Sequence, residues 1–338
     1  MGSDEKPDWP VWATLVSPPD HPVTAAAEAD ARDAAARFGH FVVRGPVFGL
    51  AARAEGQRSW RVLTAVSSGD PQSARDSMQS KLWFRAKDEA ENRIQRRELL
   101  RAVKRLESER VDDMTVLGVR YKVVRADEIV YTHDGAVEGP RPTDPEPADP
   151  EWGTAHRGPA LDDGLVIDPA TPVSPMAAAE RHALGGLHYT ATRYPADVRA
   201  DSAHALHTHP AVIVLPAAFA VLEETPGAWT PIGALHSTAQ EARKQLHFQL
   251  DWLWPRMPHD GGGFTPEQFR QAAAQLRAQP RAQHYELLSR RFVVARMTRV
   301  LRIGADGPEG PRPSDVDASD PGEQHAPMDE DGTIHYDA

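Results

Sequence analysis

The sequence predicts an α+β protein that is internally duplicated, with two similar ββααββ-type domains built from antiparallel hairpins and each followed by a Pro-rich strap. Three observations predict it. The heptapeptide EGPRPTD, Glu138 to Asp144, returns as EGPRPSD, Glu309 to Asp315, 171 positions later in a chain of 338 residues. That spacing suits a repeated domain better than two unrelated loops. Upstream of each heptapeptide, VRYKVVRADEIVY (Val119 to Tyr131) aligns without a gap on RRFVVARMTRVLR (Arg290 to Arg302), so that Tyr121 faces Phe292, Val123 faces Val294 and Ile129 faces Val300. Helix-start signals recur at matching places further back, with offsets drifting only between 168 and 171.

Each copy opens with a short Ala-rich helix, AAAEADARDAAARF in the first and ADVRADSAHAL in the second. An apolar strand follows, HFVVRGPVFGLAAR or AVIVLPAAFAVLEE, and a Gly turn leads to a second strand around Trp60 or Trp229. Two helices come next. Asp70 before Pro71 suits a cap and a first helical position, Thr238 with Glu241 has the spacing of a capping box, and Thr265, Pro266 and Gln268 repeat the pattern. Leu99, Val103 and Leu106 have helical spacing, as do their counterparts Phe269, Ala273 and Leu276. A hairpin turning near Gly118, or near Ser289, closes each copy. Antiparallel hairpins around two helices place those helices on one face of the sheet.

The boundaries that follow are an N-terminal extension 1–23, a first repeat 24–137, a Pro/Asp-rich linker 138–194 with a short ordered middle part, a second repeat 195–308, and a strap with an acidic disordered tail 309–338. The net charge of −11 belongs to two of these. Glu138 to Ala170 carries eight acidic residues against two arginines, and Ala305 to Ala338 carries ten against one. Such composition cannot bury enough apolar surface to fold alone. No apolar run approaches the roughly 18 residues needed to cross a bilayer, and the N-terminus MGSDEKPDWPVW lacks the flanks of a secretory signal, so the expected location is cytoplasmic. The absence of cysteine excludes disulfides, thiolate metal sites and a cysteine nucleophile.

The phrases GLVIDP (Gly164 to Pro169), PADVRADS (Pro195 to Ser202), LPAAF (Leu215 to Phe219) and the doubled GPRP[TS]D resemble an actinobacterial family of uncharacterised proteins, over about Thr24 to Asp320. The resemblance implies no activity, cofactor or catalytic residue. It departs at Ser289, where the first copy has the turn-forming Gly118.

Three arginines recur in both copies: Arg75 with Arg243, Arg125 with Arg296, and Arg141 with Arg312. A guanidinium can hold a carboxylate or phosphate through two parallel hydrogen bonds. These six are the candidate contacts for an anion or a partner, and the plainer reading is that they clamp acidic residues such as Glu138 and Asp144 to hold each strap. Pro140 and Pro142 keep Arg141 in a pre-extended backbone that loses little entropy on docking.

Other candidates are weaker. His204, His207 and His209, with His182 and His188 upstream, could supply imidazoles to zinc, but no HExxH pattern or matching carboxylate accompanies them and the first copy lacks the cluster. The helix Arg93 to Arg110 carries seven basic residues against three Glu, yet its counterpart is rich in Gln and Ala, so a solvated face with Glu98 and Glu107 is favoured over a nucleic-acid surface. DGGGF (Asp260 to Phe264) lacks the Lys-Ser/Thr of a phosphate loop, no Gly-x-Ser-x-Gly elbow presents a serine, and Trp252 with Trp254 suits core or an interface. The leading expectation is a non-catalytic binding or protein-interaction protein, its two domains about a pseudo-twofold axis, with no cofactor and with a protein or an anionic small molecule as partner. The alternatives are an enzyme with an inter-repeat cleft using second-repeat histidines, and a nucleic-acid accessory protein using helix 93–110.

Overall fold

The computed structural model describes residues 15–153, 158–257 and 263–336. The N-terminal stretch MGSDEKPDWPVW and most of the Gly-rich Asp260–Phe264 stretch lie outside them. In chain order, α1 (Pro22–Arg37) leads into β1 (His40–Ala54) and β2 (Trp60–Ser68), then α2 (Pro71–Asp88) and α3 (Arg93–Leu106), then β3 (Asp113–Val116), β4 (Val119–His133) and β5 (Ala136–Val137). The linker supplies β6 (Val166–Ile167) and α4 (Pro175–Gly185). Next come α5 (Ala196–Thr208), β7 (Ala211–Val214), β8 (Ala218–Thr225), β9 (Ala228–His236), α6 (Ala239–Phe248), α7 (Pro266–Ala278), β10 (His284–Leu287), β11 (Arg290–Gly304) and β12 (Gly307–Pro308). A π turn at Gln249–Leu253 and a 3₁₀ turn at Trp254–Arg256 follow α6.

The named strands of the described residues pair antiparallel, in the order β6-β2-β1-β4-β11-β8-β9, with the remaining short strands paired to β4 or β11. Two of the three longest strands, β4 and β11, meet at the centre, where Ile129 lies opposite Thr298, Glu128 opposite Arg299 and Asp127 opposite Val300. Side chains alternate along a strand. Arg125, Asp127, Ile129 and Tyr131 of β4 therefore share one face with Arg296, Thr298, Val300 and Arg302 of β11.

The helices pack on that face. Phe48, Leu50, Tyr121 and Val123 bury against α2 and α3, while Phe219, Val221, Phe292 and Val294 bury against α6 and α7. Between these two cores, Ile129 and Val300 meet Leu184 and Leu187 from the end of α4 and the turn after it. On the opposite face Val124, Ala126, Leu301 and Ile303 pack with Trp60 and Val62. Arg299 is also there, wholly buried, gripping both carboxylate oxygens of Asp162 from the linker and the carbonyls of Val66 and Pro216.

Local chemistry sets the element ends. Asp70 caps α2 by accepting a hydrogen bond from the Ser73 amide at 3.1 Å, and Pro71 needs no partner for a missing N–H. Thr265 and Gln268 make a reciprocal capping box on α7. Thr238 accepts from the Glu241 amide at 3.2 Å, but the Glu241 carboxylate turns to Lys244, so half of the expected box forms. Leu117 and Gly118 take positive φ of 49° and 72°, and Leu288 and Ser289 take 53° and 55°. Ser289 thus enters the left-handed region despite its Cβ.

Two expectations are corrected. AVIVLPAAFAVLEE is two strands and not one, because Pro216 has no N–H for the ladder; the two pieces pair separately with β11. Pro46 interrupts nothing in β1 because a register shift at Gly45 absorbs it. The acidic tail is not a free chain over its described length. The Gln79 and Trp83 side chains donate to the carbonyls of Gly322 and Ala326, His325 stacks on Trp83 with centroids 4.6 Å apart, and Met328 and Ile334 join the core under α2 and α3. A few apolar and aromatic side chains spaced through an acidic segment anchor it where composition alone forecast disorder. Among the described residues, no helix is long and apolar enough to cross a membrane.

Candidate functional site

Each heptapeptide is an extended strap laid across the long strand of the other half. The Arg296 amide donates to the Glu138 carbonyl at 2.8 Å, and the Arg125 amide donates to the Glu309 carbonyl at 2.9 Å. Within each strap the arginine Nε donates to its own glutamate at 2.7 Å, Arg141 to Glu138 and Arg312 to Glu309. The aspartate closes the turn by accepting from the arginine amide, and also accepts from the strand arginine: Arg296 to Asp144 at 3.1 Å, Arg125 to Asp315 at 2.9 Å. Amides of Thr143 and Ser314 donate to Asp30 of α1 and Asp201 of α5. Further on, Arg75 holds Asp317 and Arg243 holds Glu146, both at 2.7 Å. All six sequence-predicted arginines therefore fall in two networks, Arg75, Arg125 and Arg312 in one and Arg243, Arg296 and Arg141 in the other.

The networks differ at one position. In the first, Asp127 lies 2.9 Å from Arg125 and 3.7 Å from Arg312 and accepts a 2.6 Å hydrogen bond from the Tyr189 hydroxyl. Burial alone would raise the Asp127 carboxyl, but Arg125 and Arg312 hold it below the usual carboxylate range. Burial would lower the Arg125 guanidinium, and Asp127 with Asp315 instead raises it. The residue 171 positions beyond Asp127 is Thr298. It is 1% exposed, and its hydroxyl has no hydrogen-bond partner among the described residues.

Around Arg141 and Arg296 lies a cavity of about 560 Å³ between α1 and α4, within the usual size of a small-molecule site. Ala27, Ala31 and Ala34 of α1, Phe38 just after it, and Met176 and Ala183 of α4 give it apolar walls. Both halves contribute polar groups, Tyr131 from β4 and Arg296 from β11. Arg141 and Arg296 use their Nε atoms on Glu138 and Asp144, and neither makes a hydrogen bond through Nη among the described residues. Tyr131 donates to Glu180 at 3.0 Å; burial first and the Glu180 charge second push its phenol well up, so it stays protonated. Glu28 is only 6% exposed, with one oxygen accepting from the Met176 amide and the other unpartnered among the described residues. The arrangement can hold an anionic group on two guanidinium edges and an apolar body against the helices.

The other predicted sites are placed elsewhere. His204 is exposed on α5, His209 bonds to the Thr208 hydroxyl, and burial lowers its imidazole. His182 and His207 line a separate depression with Arg181. Among the described residues, no group of three or more metal-ligating side chains comes together. The basic face of α3, with Arg110 beyond its end, meets the acidic tail: Arg110 pairs with Asp317 and Asp320, Lys104 with Glu323, and Arg97 with Glu330. Trp254 packs on Phe269 and Phe292, while Trp252 is half-exposed and stacked on Phe248.

Sequence reasoning missed Glu28, Tyr131, Glu180 and the cavity itself. The Asp127/Thr298 difference was visible in the aligned strands, two residues past the matched arginines, but only the partners of Asp127 give it meaning. No curated protein and no solved structure matches the chain. A family described as a family of unknown function (DUF5954) matches residues 21–318. The chain, with its crossed straps and six paired arginines, belongs to that family.

Proposed function

We propose that this protein is a non-catalytic binding protein on a duplicated scaffold, with repeats at 24–137 and 195–308, and that the cavity between α1 and α4 takes a small carboxylate on Arg141 and Arg296. The single observation that carries the reading is the missing anion. Arg125 and Arg312 share the Asp127 carboxylate, whereas Arg141 and Arg296 pair only with Glu138 and Asp144, and the position that matches Asp127 is Thr298, uncharged and with a hydroxyl unpartnered among the described residues. Two guanidinium groups short of one carboxylate at the edge of an apolar cavity form a site for an amphipathic acid. The crossed straps and the order of strands and helices, alike in the two halves, support the duplicated scaffold.

The test is Thr298→Asp, which builds the missing carboxylate into the chain. Calorimetry against butanoate, octanoate and 3-phenylpropanoate should show binding to the native protein and at least a tenfold loss in Thr298→Asp. Thr298→Val should bind within a few fold of native. Equal affinity in native and Thr298→Asp, or no binding of any of the three acids, overturns the proposal.

A further inference from the structure

The place that the cavity occupies in the first half is filled in the second half by the chain itself. Leu187 to Tyr189 runs between α5 and the 309–315 strap, held by Arg302, which donates to the carbonyls of Gly185 and Leu187. The Tyr189 amide donates to Ser202 at 2.9 Å, the ring lies 5.9 Å from the Arg312 guanidinium and stacks on Tyr194, and the hydroxyl reaches Asp127. Four of these contacts have counterparts at the cavity end, 171 positions earlier or later: Ser202 with Ala31, Arg312 with Arg141, Arg302 with Tyr131 and Asp127 with Thr298, while Tyr194 matches Val23. Ala31, Arg141 and Tyr131 all line the cavity. The cavity thus has the surroundings of a tyrosine side chain without the tyrosine, and without the carboxylate that the tyrosine hydroxyl meets.

We infer that the ligand is a monocyclic arylalkanoic acid with a hydroxyl on its ring, a deepening of the carboxylate-binding proposal that rests on it. The ring takes the position that Tyr189 holds in the other half, flanked by the small side chains of α1 and the guanidinium plane of Arg141. The carboxylate takes the position of the Asp127 carboxylate. In the second half the tyrosine ring and that carboxylate are joined by one phenolic oxygen and a 2.6 Å hydrogen bond, about the reach of two methylene groups. The Glu28 oxygen in the cavity wall, buried and without a partner among the described residues, supplies an acceptor for the ring hydroxyl. The Ser202/Ala31 difference fits the same assignment: Ser202 accepts from the Tyr189 amide, an anchor that a free ligand does not need, and its counterpart is alanine.

Calorimetry on the full chain with 3-(4-hydroxyphenyl)propanoate, 3-phenylpropanoate and octanoate tests the inference. One equivalent of the hydroxylated acid should bind, at least tenfold tighter than octanoate and severalfold tighter than 3-phenylpropanoate. Ala31→Phe, which places a ring in the cavity from α1, should abolish that binding while the melting temperature is kept. Octanoate binding as tightly as the aryl acids, with both lost in Thr298→Asp, overturns the aryl assignment and leaves the carboxylate reading standing. Unchanged affinity in Ala31→Phe overturns the cavity as the place of the ring. Failure of all three acids overturns both proposals.

Discussion

Asp315 accepts a 2.9 Å hydrogen bond from Arg125, 190 residues earlier in the chain, while the same aspartate closes the turn of its own strap on the Arg312 amide. The strap of each half is therefore fastened by the other. Arg312 is buried between Glu309 and Asp127, whereas Arg141 stands at the edge of the cavity with 16% of its side chain exposed. Arg312→Ala should cost about 3–5 kcal/mol, because it leaves buried carboxylates unpaired. Arg141→Ala should cost about 1–2 kcal/mol after solvent screening. Lysine at either position should recover only part, lacking the planar fork. Equal losses in denaturant melts would contradict the difference in burial.

Acid should act through Asp127. The folded state holds its carboxyl below the unfolded value of about 3.9, so its contribution is fully present above that value and is lost as pH falls through the folded one. Asp127→Asn should be about 3–5 kcal/mol less stable at pH 7, since Arg125 and Arg312 lose their shared anion. It should also show a shallower loss of stability between pH 4 and pH 2 (about the range in which native carboxylates titrate) than the native chain. Parallel stability curves for the two proteins would refute this.

The linker is tied to the sheet by Arg299 and Asp162, both wholly buried. Asp162→Ala should cost about 3–5 kcal/mol by stranding a guanidinium. The double replacement Arg299→Met with Asp162→Leu should be more stable than Asp162→Ala, because both charges are gone. Urea melts of the single and double variants measure the difference directly.

Removing residues 321–338 should expose Trp83 and the basic face of α3. The loss of Met328 and Ile334 from the core predicts a stability decrease of about 2 kcal/mol, and tryptophan emission should shift to the red. Lys104, Arg96 and Arg97 would lose their tail contacts. The shortened chain should therefore gain retention on heparin that about 0.15 M salt weakens, and retention equal to that of the full chain would argue against the tail as a cover.

Much of the fold was legible because it is written in local chemistry. Asp70, Thr265 and the alternating Val and Phe of the long strands each act through neighbours within a turn or a strand pair. Pro216 was legible as a residue but not as a break, since Pro46 at the aligned position sits harmlessly beside the Gly45 register shift. The six arginines were legible as a matched set. Their partners were not, because Asp317 lies 242 residues from Arg75 and no local pattern encodes such a pairing. The cavity was hidden for the same reason: its walls are alanines of α1 and α4, and alanine at helical spacing reads as helix propensity until tertiary structure leaves it facing a space.

The crossing of the straps imposes an order in time. A ribosome makes the first half long before Asp315 and Asp317 emerge, so Arg125 must wait for a carboxylate 190 residues further on and Arg75 for one 242 residues further on. The second half meets the opposite situation, because Asp144 and Glu146 are already made when Arg243 and Arg296 appear. Of the two halves, the later one can bind the 138–146 strap as it is translated, and the earlier one gains its carboxylates only once residues 309–317 emerge. A chain stalled or cleaved before residue 309 would thus carry a C-terminal half with its strap contacts made beside an N-terminal half without them.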